Sequence, residues 1–132
     1  MVSPVAIGAE ETWAALLAGR SGIARIQGFD STGFACQIAG EVKGFDPALY
    51  IEKKEIKKMG RFIHFAIAAT EFALADSGFK VREGEEERTG AYIGSGIGGF
   101  DVIEREHRTY LEHGPRRISP FPCFSYLSWR RI

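Results

Sequence analysis

The sequence predicts an α/β fold, because two helix-forming segments flank a short strand-forming segment and a glycine-rich turn. Apolar residues recur every three or four positions over residues 61–75, the spacing of an α-helix. Residues 89–93 are a β-branched and aromatic run, as in a strand, and four glycines follow within residues 94–99. A second helical pattern covers residues 100–113. The alternation of helix and strand without internal repeats favours a layered α/β architecture.

The first part of the chain predicts short elements. Residues 10–18 form a helical pattern with Trp13, Leu16 and Leu17 on one face, and Gly19 is placed to end it. Glycines recur through residues 22–45, which indicates short extended pieces joined by turns. The polar residues 51–59 predict an exposed helical turn.

The second part of the chain carries the stronger signals. The 61–75 helix is expected to be buried on several sides and to end at Gly78. The charged residues 82–88 predict an exposed connection into the 89–93 strand. The 100–113 helix mixes apolar and charged residues and is expected to be partly exposed. An apolar stripe of the 61–75 helix follows the three-to-four spacing, and three further apolar residues cover its other faces. The stripe comprises Phe62, Phe65, Ala66, Ala69, Phe72 and Ala73, and the further residues are Ile63, Ile67 and Leu74.

Composition and charge argue against several classes of function. Seventeen basic residues balance seventeen acidic ones, so no overall field draws the chain to nucleic acid or to an anionic membrane. No apolar run is long enough to span a bilayer and the first residues do not resemble a secretory signal, so a cytoplasmic protein is expected. Cys36 and Cys123 lack metal-ligand spacing, and neither a metal site nor a disulfide framework is predicted.

The glycine turn allows two interpretations. Residues 94–99 match the GxGxxG pattern after a predicted strand and before a predicted helix, which is the context of a dinucleotide-binding turn. That fingerprint also needs a second strand ending in an acidic residue about twenty positions later. The chain has Arg116, Arg117 and an Ile-Ser-Pro break in that region. A tight turn packed closely against another segment is therefore favoured, and a nucleotide site stays the weaker alternative.

A local basic cluster stands out in this neutral protein. Lys53, Lys54, Lys57 and Lys58 lie close together in sequence, and helical spacing places the last three on adjoining positions. Such a cluster is usually a solvated face, which composition alone favours. The alternative is a docking surface for an acidic partner, such as a carrier protein bearing phosphopantetheine.

Several motifs in collinear order resemble the amino-terminal part of a type II, elongating β-ketoacyl-acyl-carrier-protein synthase. The resemblance runs from Ser3 to Phe121 and corresponds to less than a third of a complete family enzyme. It predicts a partial synthase domain over residues 1–121 and a non-matching tail over 122–132. The segments that carry it are Ser3-Pro4-Val5, residues 13–23, Ala39-Gly40-Glu41-Val42, Phe45-Asp46, residues 73–78, residues 89–99 and residues 114–121.

The resemblance implies a partial thiolase-like fold that lacks the first strand and the segment bearing the nucleophile. It implies descent from an acyltransferase of fatty acid biosynthesis, which condenses malonyl-carrier protein with an acyl-enzyme thioester and loses carbon dioxide. The implied partners are acyl carrier protein and, in the complete enzyme, a second copy of the same subunit. No cofactor is implied.

The resemblance also implies roles for individual residues. Ile97 corresponds to the residue that gates the acyl pocket. The docking surface for the carrier protein would comprise Lys54, Lys57, Lys58, Arg116 and Arg117, which reverses the preference for a solvated face. The family's catalytic cysteine and histidines have no counterpart here, so this chain alone is expected to be an inactive truncated fragment that leaves apolar surface exposed. The alternative is a non-catalytic module that binds carrier protein or pairs with a complete synthase.

Overall fold

A computed structural model describes residues 1–119, and the chain divides into two compact units, Met1–Asp46 and Pro47–Ile132. We describe each unit by itself. The first contains α1 (Ala9–Leu17), β1 (Ala24–Arg25) and β2 (Ile38–Ala39). The second contains α2 (Lys53–Ile56), α3 (Arg61–Ser77) and α4 (Phe100–His113), with short 3-10 turns at Pro47–Leu49, Glu86–Arg88 and Pro115–Arg117.

Helix α1 forms within one residue of its predicted bounds and ends as the sequence indicated. Gly19 adopts φ 66°. Its N–H donates to the carbonyl of Leu16 at 3.0 Å, and the N–H of Arg20 donates to the carbonyl of Ala15 at 2.9 Å. These two bonds are the Schellman pattern, which satisfies the last carbonyls of a helix.

The extended pieces predicted for residues 22–45 are two short strands. β1 and β2 pair in antiparallel register, with Ala24 opposite Ala39 and Arg25 opposite Ile38. Beyond this pairing, the carboxylate of Glu41 accepts hydrogen bonds from the backbone N–H groups of Gln27 and Gly28, both at 2.9 Å. The Glu41 side chain thus accepts hydrogen bonds from backbone N–H groups that no strand pairs with.

Gly22 allows the first residues of the chain to pack closely on the first unit. A Cβ at this position would lie 2.8 Å from the carbonyl carbon of Pro4 and 2.9 Å from the backbone nitrogen of Val5. Both atoms belong to the backbone and cannot move aside cheaply. The close approach therefore requires glycine.

Helix α3 confirms the strongest helix prediction of the sequence, and its most buried residues lie beside the regular apolar stripe. It begins at Arg61, runs to Ser77 and is followed by Gly78 at φ 61°. Its buried residues are Ile63, His64 and Ala68, whereas the apolar stripe is half-buried or, at Ala73, exposed. Burial follows the neighbouring segments, since the Nε2 atom of His64 lies 3.1 Å from the carbonyl oxygen of Ile56. The apolar stripe alone did not determine which side is covered.

Helix α4 has the bounds that the sequence predicted and is partly exposed. Val102 is buried, while Ile103, Tyr110 and Leu111 remain largely exposed. In the described part of the chain, no helix has both the length and the apolar character needed to cross a membrane.

The predicted strand at residues 89–93 is wrong. Within residues 1–119 this segment pairs with no other strand, and the side chain of Tyr92 is 98% exposed. A β-strand needs a neighbour to take up its N–H and C=O groups. The β-branched and aromatic composition of residues 89–93 favours an extended backbone, but it does not supply a second strand to pair with.

We expect Gly22→Ala to destabilise the first unit, because the new methyl group would meet the Pro4 and Val5 backbone. The expected cost is about 1–3 kcal/mol, as for overpacking elsewhere. The control is Gly90→Ala, since no atom of the described residues lies within 4 Å of a Cβ there. Urea unfolding followed by circular dichroism measures both variants. Equal stabilities would show that the Pro4 segment does not pack on Gly22.

Candidate functional site

Phe62, at the start of α3, lies against three glycines from two segments. A Cβ would lie 3.0 Å from the Phe62 ring at Gly60, 3.2 Å at Gly98 and 3.3 Å at Gly99. Each distance is tighter than ordinary carbon contact, and Gly98 also has φ 74°. The ring therefore occupies space that side chains would take, which holds the start of α4 close to the start of α3.

A pocket of about 200 Å³ lies beside this contact. One wall is the segment between α2 and α3, and another is the first half of α4. The lining residues are Lys57, Lys58, Met59, Gly60, Val102, Arg105 and Ser119. The pocket thus combines an apolar part, from Met59 and Val102, with three cationic side chains.

The cations of the pocket differ in how far neighbouring carboxylates neutralise them. The Nζ atom of Lys58 lies 3.0 Å from Oε1 of Glu55. The Nε atom of Arg105 lies 3.4 Å from Oε1 of Glu106. Lys57 is exposed and forms no ion pair with any described residue. Its charge is therefore the most available one.

Glu106 also fixes the segment that follows α4. Its second carboxylate oxygen accepts the backbone N–H of Ser119 at 3.0 Å, and its side chain is 13% exposed. The 3-10 turn Pro115–Arg117 contacts α4 directly before this point. The hydrogen bond therefore keeps Ser119 at the pocket, two residues beyond Arg117.

Two of the five predicted docking residues line the pocket and three do not. Lys57 and Lys58 line the pocket. Arg116 and Arg117 are exposed on the turn that leads to Ser119. Lys54 is exposed, lies 2.7 Å from a carboxylate oxygen of Glu52 and does not line the pocket.

Sequence reasoning missed Arg105 as a pocket residue. The available signal was its spacing, since Arg105 lies three residues after the buried Val102 and so shares a helix face with it. That signal was weak because charged residues occur throughout α4.

Ile97, the predicted acyl-pocket gate, is 71% exposed and does not line the pocket. Its role stays a prediction.

The glycine turn around Ile97 is tight at one end only. Gly98 and Gly99 pack against Phe62, whereas a Cβ at Gly94 or Gly96 would meet no atom of residues 1–119 within 4 Å.

The cysteine and the buried histidine of the described chain each contact a backbone carbonyl of their own unit. The Cys36 thiol is exposed and donates a hydrogen bond to the carbonyl of Ile38 at 3.5 Å. The His64 ring nitrogen contacts the carbonyl of Ile56. Cys123 lies outside the described residues. Within those residues, no group of three or more His, Cys, Asp or Glu side chains could hold a metal ion.

Comparisons with known proteins agree with one another. A family model described as the beta-ketoacyl synthase N-terminal domain matches residues 1–128. The 3-oxoacyl-[acyl-carrier-protein] synthase 2 of Vibrio cholerae is 51% identical over 121 residues, 92% of this chain and 29% of that protein. The enzyme of the same name from Synechocystis is 39% identical over 120 residues, 91% of this chain and 29% of that protein.

A solved structure agrees with the sequence relatives. The structure titled the ishigamide ketosynthase/chain length factor superposes with a TM-score of 0.70 at 32% identity, and the match covers 91% of this chain and 30% of that one. The chain spans less than a third of the length of each of these three proteins. It thus has the partial thiolase-like fold that the resemblance implied.

We expect Gly98→Ala to loosen the contact between the glycine turn and Phe62. Alanine is disfavoured at positive φ, and its methyl group would press on the ring, so a loss of at least about 1 kcal/mol in unfolding free energy is expected. Gly96→Ala is the matched control in the same turn, because that position is open. Denaturant unfolding compares the two. Indistinguishable stabilities would contradict the packing described for Phe62.

Proposed function

Because this chain belongs to the β-ketoacyl synthase family, we propose that it supplies the amino-terminal part of a 3-oxoacyl-[acyl-carrier-protein] synthase. Such an enzyme extends an acyl chain by condensing it with a malonyl group and releasing carbon dioxide. The support is the match of residues 1–128 to the family domain and the 51% identity to the Vibrio cholerae synthase. On the same premise we propose a cytoplasmic location.

Within that enzyme, the chain's own contribution is recognition of the acyl carrier protein. The observation that carries this proposal is the pocket beside Phe62, which places Lys57 and Lys58 next to the segment that follows Arg116 and Arg117. Exposed cations attract an acidic partner over a distance of about a Debye length and set its orientation. Lys54 would add to the attraction at the edge of this surface.

Docking by these cations needs little rearrangement. The lysines and arginines are already exposed, so a carrier protein can reach their charges without displacing other parts of the chain. Ile97 is proposed to contact the acyl chain that the carrier protein delivers. Its exposed side chain gives the glycine turn one large apolar group.

A second candidate is a non-catalytic module that pairs with a synthase subunit. The observation that favours it is the run of exposed apolar side chains beside the glycine turn, at Tyr92, Ile93, Ile97 and Phe100. Pairing with another subunit would cover such side chains. The homodimer implied by the family is a proposal on the same ground.

We expect reversal of both pocket lysines, Lys57→Glu with Lys58→Glu, to weaken binding of Vibrio cholerae acyl carrier protein. The new carboxylates would repel the acidic partner, and a loss of at least about tenfold in affinity, equivalent to about 1.4 kcal/mol, is expected at low salt. Titration calorimetry measures the dissociation constants, and added salt should narrow the difference.

The control for this variant is reversal of Lys80 and Arg82, which changes the net charge by the same amount. Both are exposed and lie beyond the far end of α3, whose seventeen residues span about 25 Å. An equal loss in the two variants would show a general charge effect. It would contradict a docking surface at Lys57 and Lys58.

We expect the 132-residue chain by itself to form no 3-oxoacyl product from acyl- and malonyl-carrier protein. Condensation needs an activated nucleophile, and the Cys36 thiol donates its hydrogen bond to the carbonyl of Ile38, which cannot act as a general base. Mass spectrometry of the carrier protein detects the product, with the complete Vibrio cholerae enzyme as positive control. Product that persists in the Cys36→Ser variant would place a nucleophile elsewhere in the chain, and product lost in it would identify Cys36.

A further inference from the structure

We propose that the pocket beside Phe62 binds one carboxylate side chain of the carrier protein, and that the guanidinium group of Arg105 forms hydrogen bonds to that carboxylate. This inference rests on the docking function proposed above and assigns a specific role to a residue outside the predicted docking set. It concerns the chemistry of one subsite. The wider docking surface does not depend on it.

Arg105 has hydrogen-bonding capacity to spare. Its Nε atom is engaged with Glu106 at the long distance of 3.4 Å. The two terminal nitrogens of its guanidinium group make no hydrogen bond with any of residues 1–119. These nitrogens form a planar fork that matches a carboxylate with two parallel hydrogen bonds. The side chain is 61% exposed, so an incoming group can reach it.

The charges at the pocket favour a single anionic group. Lys57, Lys58 and Arg105 line it, and Glu55 and Glu106 neutralise two of these three cations. One positive charge, that of Lys57, remains without a partner among the described residues. One carboxylate would balance this charge and could accept hydrogen bonds from Lys57 and Arg105 together.

The size and lining of the pocket favour a protein side chain over a free ligand. Its volume of about 200 Å³ is below the range of about 300–1,000 Å³ that is usual for small-molecule sites. Met59 and Val102 form an apolar part of the lining, and Val102 is buried. An Asp or Glu of an acidic partner fits these conditions.

The test compares Arg105→Gln with Arg108→Gln. Glutamine keeps most of the stem and removes the charge in each case. Arg108 is the matched control because it lies on the same helix, pairs with Glu104 at 2.9 Å and does not line the pocket. We expect Arg105→Gln to weaken carrier-protein binding by about three- to tenfold and Arg108→Gln to change it less than about twofold.

Two further variants show whether Arg105 acts through its fork and with Lys57. Arg105→Lys retains the charge without the planar fork, and binding is expected between that of the wild type and that of Arg105→Gln. The second comparison uses Lys57→Ala, Arg105→Gln and the double variant. The fold-loss of affinity in the double variant should be smaller than the product of the two single fold-losses, because both residues contact one carboxylate. Losses that multiply fully would overturn a shared carboxylate. Circular dichroism melting verifies that each variant is folded.

The carrier protein is used with and without its phosphopantetheine group, since a phosphate could also bind an arginine fork. Dependence on Arg105 that is equal for both forms supports a carboxylate of the protein. Dependence confined to the phosphopantetheine-bearing form would identify the phosphate as the occupant and overturn the proposal.

The failures of the two proposals are distinguishable. If reversal of Lys57 and Lys58 weakens binding while Arg105→Gln behaves like Arg108→Gln, the docking function stands and the carboxylate subsite is wrong. If neither change weakens binding more than its control, the docking function itself fails, and the subsite fails with it.

Discussion

The contact between Phe62 and three glycines is the constraint on which the rest of the site depends. An aromatic ring can lie this close to two backbone segments only where neither segment carries a Cβ. The contact sets the first turn of α4 beside the first turn of α3. Lys57 and Lys58, in the segment between α2 and α3, then line the same small pocket as Val102 and Arg105. A feature of backbone packing thus determines which charges come together.

The sequence predicted helices better than it predicted their surroundings. Helices α3 and α4 were recognised because a three-to-four spacing is a property of the segment itself. The strand expected at residues 89–93 was not formed, because pairing depends on a second segment that the local pattern cannot specify. The same reason explains the face of α3. Ile63 and Ala68 are buried where neighbours cover them, while apolar residues such as Phe65 are only half-buried.

The candidate site shows the same division between local and tertiary information. Lys57 and Lys58 were recognised as part of a local basic cluster, to which the resemblance gave a docking role, and both line the pocket. Arg105 carried no distinguishing mark, because Glu104, Glu106 and Arg108 surround it with equally ordinary charges. Arg105 lines the pocket and Arg108 does not, and this difference depends on how α4 packs on the segment before α3. A resemblance can identify a surface, but the individual contacts within it require coordinates.

The exposed apolar residues next to the glycine turn have a consequence for how stability should be understood in this protein. Tyr92, Ile97 and Phe100 lie within nine positions of one another and are all more than half exposed. A large apolar side chain gains about 1.5–3 kcal/mol when it is fully buried, so covering all three would rival the whole folding free energy of a small domain. A partner that covered these side chains in the folded state would raise the apparent unfolding free energy as its concentration rises, by mass action.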